Sequence, residues 1–208
     1  MTGRHEVPLS RPESHEIGED AAAELRRLAG GLKLDRTVAL VGLMGAGKTT
    51  VGRRLAAALR LPFKDADHEI ERAAGLSVKD IFARYGEPEF RRGEREVICR
   101  LLRDPPMVLA TGGGAFMDAG TRAKMKESAI TVWLKAPLDV LMRRVERRDD
   151  RPLLKSDDPQ AVMQRLLAER NPIYAEADIT VESTNSPHNA AVVAILDALR
   201  AYVAKAPA

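Results

Sequence analysis

TVALVGLMGAGKTTVGRRLA, residues 37–56, sets an apolar run, a glycine-rich turn and a helical pattern end to end. TVALVG (37–42) reads as a short buried strand. From Thr49 to Leu61 the apolar positions Val51, Leu55, Ala58 and Leu59 fall on one helical face. Between them G-L-M-G-A-G-K-T (42–49) satisfies Gly-x-x-x-x-Gly-Lys-Ser/Thr in the strand-to-helix setting that the motif requires. Its glycines let backbone N–H groups turn inward around phosphate oxygens, and the helix that follows presents unpaired N–H groups and its positive end. Lys48 can bridge β- and γ-phosphates, and the Thr49 hydroxyl can ligate Mg²⁺.

Outward from this loop the chain alternates strand and helix. Extended FKD (63–65) precedes a helix over about His68–Ala74, ended by Gly75. Two further helices follow, over about Val78–Tyr85 and Glu89–Arg103. MVLAT (107–111) and AITVWL (129–134) are buried strands, with a helix around Ala119–Lys126 between them. Pro137 opens a helix running to about Arg148, where its missing N–H costs nothing. Ala161–Glu169 is helical, DITVES (178–183) is a last strand, and Asn189–Val203 a closing helix. Such alternation builds βαβ units around a parallel sheet. Upstream, residues 1 to about 16 lack periodicity and read as a disordered tail. Ile17–Leu28 has helical spacing and either packs on the domain or forms an appendage.

Composition narrows the function classes. The 208 residues suit one compact domain, and 45% hydrophobic against 30% charged residues give it a core and a solvated exterior. The net charge of +3 is too mild to imply nucleic acid, and no apolar run is long enough for a membrane span. The one cysteine, Cys99 in REVICRLL, excludes an internal disulfide and reads as a buried small hydrophobe. The start lacks the apolar core of a signal peptide, so the cytoplasm is expected, and so is a monomer. A GTPase would carry Asn-Lys-x-Asp, which does not occur. Many ATPases end a strand in Asp, whereas MVLAT runs into glycine. A small-molecule kinase is the economical class.

Several side chains can complete such a site. Asp65 and Asp67, two apart at a strand end, would share a face at the ligand crevice. The lesser reading of Asp67 is the N-cap of the next helix, which it could combine with the site role. Arg91 and Glu94 lie three apart on one helix, a surface pair or an anion clamp in which Glu94 orients Arg91. Gly112–Gly114 follows a strand at the crevice and permits close backbone approach. Arg151, before Pro152, is placed to reach transferring phosphate oxygens, and Arg170 ends a helix where it can hold an anion.

Together these pieces resemble the shikimate kinases, small members of the nucleoside-monophosphate-kinase-like P-loop fold. The resemblance spans about Thr37–Leu199 and rests on GLMGAGKTTVGRRLA, FKDADHEIE, IFARYGEPEFRRGEREV, LATGGGAF, DDRPLL and ERNPIY, in family order. It implies an α/β fold with five parallel strands in order 2-3-1-4-5. It also implies a helical substrate-binding subdomain over about 66–103 and a lid near 144–160, within a kinase domain of residues 36–204 after an extension of 1–35. By resemblance Gly42–Thr50 is the ATP phosphate loop, with Gly45, Ala46, Gly47, Lys48, Thr49 and Thr50 on the nucleotide. Arg144 goes with the adenine ring and Arg151 with the lid; Thr49 and Asp65 support Mg²⁺. Asp67 is the candidate base on the acceptor hydroxyl. Arg91 and Arg170 hold the shikimate carboxylate, and the glycines, chiefly Gly113 and Gly114, line its site. The loop after the last strand touches adenine in this family, but ESTNSPHN varies too much to assign Pro187. The implied reaction moves the γ-phosphoryl of ATP onto the 3-hydroxyl of shikimate, on the chorismate route. A gluconate or nucleoside-monophosphate kinase and an idle ATP-binding regulator are the rival readings.

Overall fold

The computed structural model describes residues 19–145, 158–184 and 187–205. Five parallel strands form one sheet in the order β2-β3-β1-β4-β5. They are β1 (Thr37–Val41), β2 (Phe63–Asp65), β3 (Val108–Ala110), β4 (Ala129–Lys135) and β5 (Ile179–Glu182). Every residue of β1 is buried, as befits a central strand with helices on both faces. Its register pairs Val38 with Val108 on one side and Val41 with Trp133 on the other. The phosphate loop therefore leaves the C-terminal edge in mid-sheet, where the chain order reverses.

The helices are α1 (Glu19–Ala29), α2 (Lys48–Leu59), α3 (Ala66–Ala74), α4 (Val78–Leu101), α5 (Ala119–Ser128), α6 (Leu138–Val145), α7 (Pro159–Tyr174) and α8 (His188–Lys205). α1 packs against α2 and α8, with Leu25 and Ala29 buried in the main core. α4 is two helices joined at Gly86, whose φ of 79° and ψ of 173° break the helical path, so the two-helix reading of this stretch holds.

Three details depart from the sequence reading. β2 stops at Asp65, whose carboxylate accepts the Asp67 N–H at 3.2 Å and caps α3. Asp67 is thus neither a strand residue nor the cap; it stands exposed in the first helical turn. The helix read as ending near Glu169 continues through Pro172 to Tyr174, placing Arg170 inside it. Proline removes one helical N–H, but the Tyr174 ring docks beside Phe116 and Trp133 and secures the last turn. Cys99 is half-buried rather than fully enclosed. The N-terminal tail, Arg151 and most of the expected lid lie outside the described residues.

Candidate active site

The phosphate loop has the backbone its glycines foretell. Gly42, Gly45 and Gly47 have φ of 133°, 82° and 94°, values that side-chain-bearing residues rarely adopt. Gly47 caps α2 with no side-chain acceptor, leaving the first N–H groups of the helix to a ligand. The buried Lys48 ammonium donates to the Gly42 and Leu43 carbonyls at 2.7 and 3.0 Å and so lies folded over the loop. Thr49 and Thr50 occupy the first turn of α2, half-buried. The Thr49 hydroxyl donates to Asp65 Oδ2 at 2.7 Å, joining α2 to the end of β2. Among the described residues no group of three or more His, Cys, Asp or Glu is placed to hold a metal ion. A hydroxyl and one carboxylate beside a phosphate cradle nevertheless fit Mg²⁺, which keeps most of its waters and takes few protein ligands.

Arg144 stands over the other flank of the loop. Its Nη1 donates to the Gly45 and Ala46 carbonyls, both at 3.3 Å, and to Ser183 Oγ at 3.0 Å. Its Nη2 donates to the Thr184 carbonyl at 2.7 Å. Burial and the neighbouring charge of Arg143 lower its pKa. Arg144, Ser183, Thr184, Pro187 and His188 line a concavity of about 70 Å³ at the foot of α8. Ser183 is buried and its hydroxyl donates to the Ala46 carbonyl at 3.0 Å. Sequence reading missed Ser183, since a serine at a strand end carries no signal of its own.

The glycine triplet gathers the second half of the site. Arg91 Nη1 pairs with Glu94 Oε2 at 2.7 Å, and Nη2 with Glu87 Oε1 at 3.0 Å. Burial works to lower the Arg91 pKa, but Glu94 and Glu87 outweigh it and raise it. Burial raises the Glu94 pKa despite Arg91, with Asp67 and Asp118 adding to the rise. Glu94 Oε1 is buried with no hydrogen-bond partner among the described residues. A Cβ on Gly112 would lie 2.5 Å from that oxygen and 2.9 Å from Asp67 Oδ1; one on Gly114 would lie 2.5 Å from both Arg91 terminal nitrogens. Arg170 Nη1 donates to the Gly113 carbonyl at 3.2 Å, and the Tyr174 hydroxyl donates to the same oxygen. A Cβ on Gly113 would meet Met44 N at 3.3 Å, so the triplet abuts the phosphate loop.

The structure thus brings Asp67, Arg91, Glu94, Gly113, Gly114 and Arg170 around one strand end, beside Lys48. Gly112 belongs with them: it is the glycine nearest the two carboxylates, although the reading centred on Gly113 and Gly114. Arg92 and Arg95 are solvent-exposed ion-pair formers, Arg92 with Glu89 and Glu96 and Arg95 with Asp118. His68 is exposed as well.

A family profile described as shikimate kinase matches residues 44–200. The shikimate kinase of Caulobacter vibrioides is 59% identical over 165 residues, 79% of this chain and 82% of its own length. That of Paramagnetospirillum magneticum is 54% identical over 189 residues, 90% of this chain and 97% of its own. Among solved structures, the shikimate kinase from Acinetobacter baumannii in complex with shikimate aligns with a TM-score of 0.79 at 38% identity, covering 83% of this chain and 97% of that one. A gluconokinase from Sinorhizobium meliloti, 19% identical with a TM-score of 0.54, is similar in fold alone. Profile, relatives and fold agree with the six motifs, and the chain belongs to the shikimate kinase family.

Proposed function

We propose that this chain transfers the γ-phosphoryl group of ATP to the 3-hydroxyl of shikimate, giving shikimate 3-phosphate and ADP for aromatic amino acid biosynthesis. The observation that carries the site assignment is the convergence of two arginines and two carboxylates on the glycine triplet beside the phosphate loop. Arg91 and Arg170 suit a carboxylate acceptor, as a bidentate fork suits a planar anion. With the acid end held there, Asp67, whose Oδ1 lies against Gly112, takes the acceptor hydroxyl.

Phosphoryl transfer depends mainly on position and charge. The α2 N–H groups and Lys48 take the phosphates, and Lys48 must then exchange the Gly42 and Leu43 carbonyls for phosphate oxygens. The Thr49 hydroxyl, with Asp65 beside it, would hold Mg²⁺, which would supply charge neutralisation on the phosphates. Asp67 accepts the hydroxyl proton as the new O–P bond forms and the bond to the ADP oxygen breaks. Arg144 and the concavity beside Pro187 and His188 take the adenine side. Arg151 is assigned to the phosphates from its RPLL motif.

We further assign residues 36–204 to the kinase domain, with a substrate-binding subdomain over about 66–103, a lid near 144–160, and 1–35 as an extension. The protein acts as a cytoplasmic monomer in this reading. No helix among the described residues is long and apolar enough to cross a membrane. An ADP-release assay with shikimate, quinate, gluconate and nucleoside monophosphates at equal concentration tests the acceptor. Release that depends on shikimate is expected; release with gluconate or a monophosphate but not shikimate would overturn the reading.

A further inference from the structure

We infer that Tyr174 is a positioning residue: by holding the Gly113 carbonyl, it lets Arg170 leave that carbonyl for the carboxylate of shikimate. The inference rests on the assignment of Arg170 to that carboxylate. In the structure two donors share one acceptor, Arg170 Nη1 at 3.2 Å and the Tyr174 hydroxyl. Arg170 is half-buried on α7 and belongs to the proposed site, whereas Tyr174 is 1% exposed and cannot follow a ligand. Its ring centroid is 6.4 Å from that of Phe116 and 5.9 Å from that of Trp133, both in stacked orientation, so the hydroxyl is fixed in place.

The consequence is thermodynamic. When Arg170 turns to an anion, the Gly113 carbonyl would lose a donor inside the protein, and an orphaned polar group is costly. With Tyr174 in place the carbonyl stays paired before and after binding. The glycine triplet then keeps its seat against Met44 N and the phosphate loop while Arg170 changes partner. Burial pushes the Tyr174 pKa up to about 12, so the hydroxyl remains a donor across the working pH range.

The logic predicts coupling rather than a simple loss. In Tyr174→Phe the ring stack survives, but Arg170 becomes the remaining donor to Gly113, so its release opposes binding. Shikimate affinity by isothermal titration should fall about tenfold, about 1.4 kcal/mol, with the affinity for a nonhydrolysable ATP analogue changed less than about twofold. In an Arg170→Ala background the carbonyl loses Arg170 in free and bound states alike. Adding Tyr174→Phe there should shift the shikimate Kd less than about twofold, although it should lower the melting temperature. Arg170→Ala alone should keep its melting temperature within about 2 °C of the parent, because Tyr174 still pairs the carbonyl. A drop beyond about 5 °C would overturn the inference even if Tyr174→Phe gave no folded protein. A Tyr174→Phe variant that melts lower but binds shikimate normally would reduce the hydroxyl to a structural role. An equal loss in both backgrounds would remove Arg170 from the argument. Unchanged shikimate affinity in Arg170→Ala would instead refute the carboxylate assignment beneath it.

Discussion

Gly114→Ala isolates the acceptor clamp with one methyl group. The φ of Gly114 is −98°, so alanine fits the backbone, and the new Cβ meets only the far end of a flexible side chain. It would stand 2.5 Å from Arg91 Nη1 and Nη2, where ordinary contact begins at 3.4 Å, so the guanidinium must retreat by about 0.9 Å. That movement strains the 2.7 Å bond to Glu94 and displaces the fork that should meet the shikimate carboxylate. Misplacement of about 1 Å in a positioning group can cost about 100-fold in rate. Because a flexible side chain absorbs the clash, the fold should be nearly unaffected. Steady-state ADP-release kinetics should give a shikimate KM raised about 10- to 100-fold, an ATP KM within about twofold of the parent, and a melting temperature within about 2 °C. A normal shikimate KM would refute the placement of Arg91 on the acceptor. A parallel rise in ATP KM would mean that the triplet acts through the phosphate loop instead.

Other perturbations separate the remaining roles. Asp67→Ala should lower kcat by about 100- to 10,000-fold with little change in ATP KM, since its proposed role is on the acceptor hydroxyl; near-parental turnover would remove it as the base. Glu94 is held above the ordinary carboxylate range by burial, so the folded chain keeps a proton that the unfolded chain releases. Its contribution to stability is present below the unfolded pKa and lost as pH rises through the folded value. Glu94→Gln should therefore flatten the decline in melting temperature across that window, and an unaltered pH profile would count against it. Leu25→Ala, removing a side chain that is 3% exposed on α1, should cost about 2–3 kcal/mol and lower the melting temperature by about 5–10 °C with kinetics unchanged. An unchanged melting temperature would show that α1 is not bound to the domain in solution.

What the sequence carried best was local. The strand TVALV, the glycine turn and Lys48 lie within a few residues of one another, so motif and geometry coincide. The alternation of apolar runs and helical patterns placed all five strands to within a residue or two. The misreadings arose where a distant contact decided a local outcome. Whether Asp65 or Asp67 caps α3 depends on where β2 ends, and β2 ends after pairing with β3 through Asp65 and Ala110. Whether α7 survives Pro172 depends on the ring stack awaiting Tyr174. Whether Arg91 is the proposed clamp or a surface ion pair turns on Gly114, which is distant in sequence but lies against the Arg91 guanidinium. Spacing puts Arg91 and Glu94 on one face in either case; only the third partner distinguishes the two roles.

The glycine triplet shows how such a third partner can be read more sharply. Glycine in sequence first suggests a turn, which needs positive φ, and Gly42, Gly45 and Gly47 meet that requirement. None of Gly112, Gly113 or Gly114 is among the glycines with positive φ. Their conformations would accept alanine; it is space that refuses a side chain. Each is pressed by a different group: Gly112 by the carboxylates of Glu94 and Asp67, Gly113 by the backbone of Met44, and Gly114 by the guanidinium of Arg91. Three consecutive residues therefore sit under the proposed base, the phosphate loop and the acceptor clamp in turn. The ordering has a consequence for substitution. Alanine at 112 or 114 must move a functional side chain, whereas at 113 the nearest contact is 3.3 Å and to backbone, so it must widen the gap to the phosphate loop. Gly113→Ala should therefore act on ATP as well as shikimate, unlike Gly114→Ala, because of the three glycines Gly113 is the one pressed against the phosphate-loop backbone.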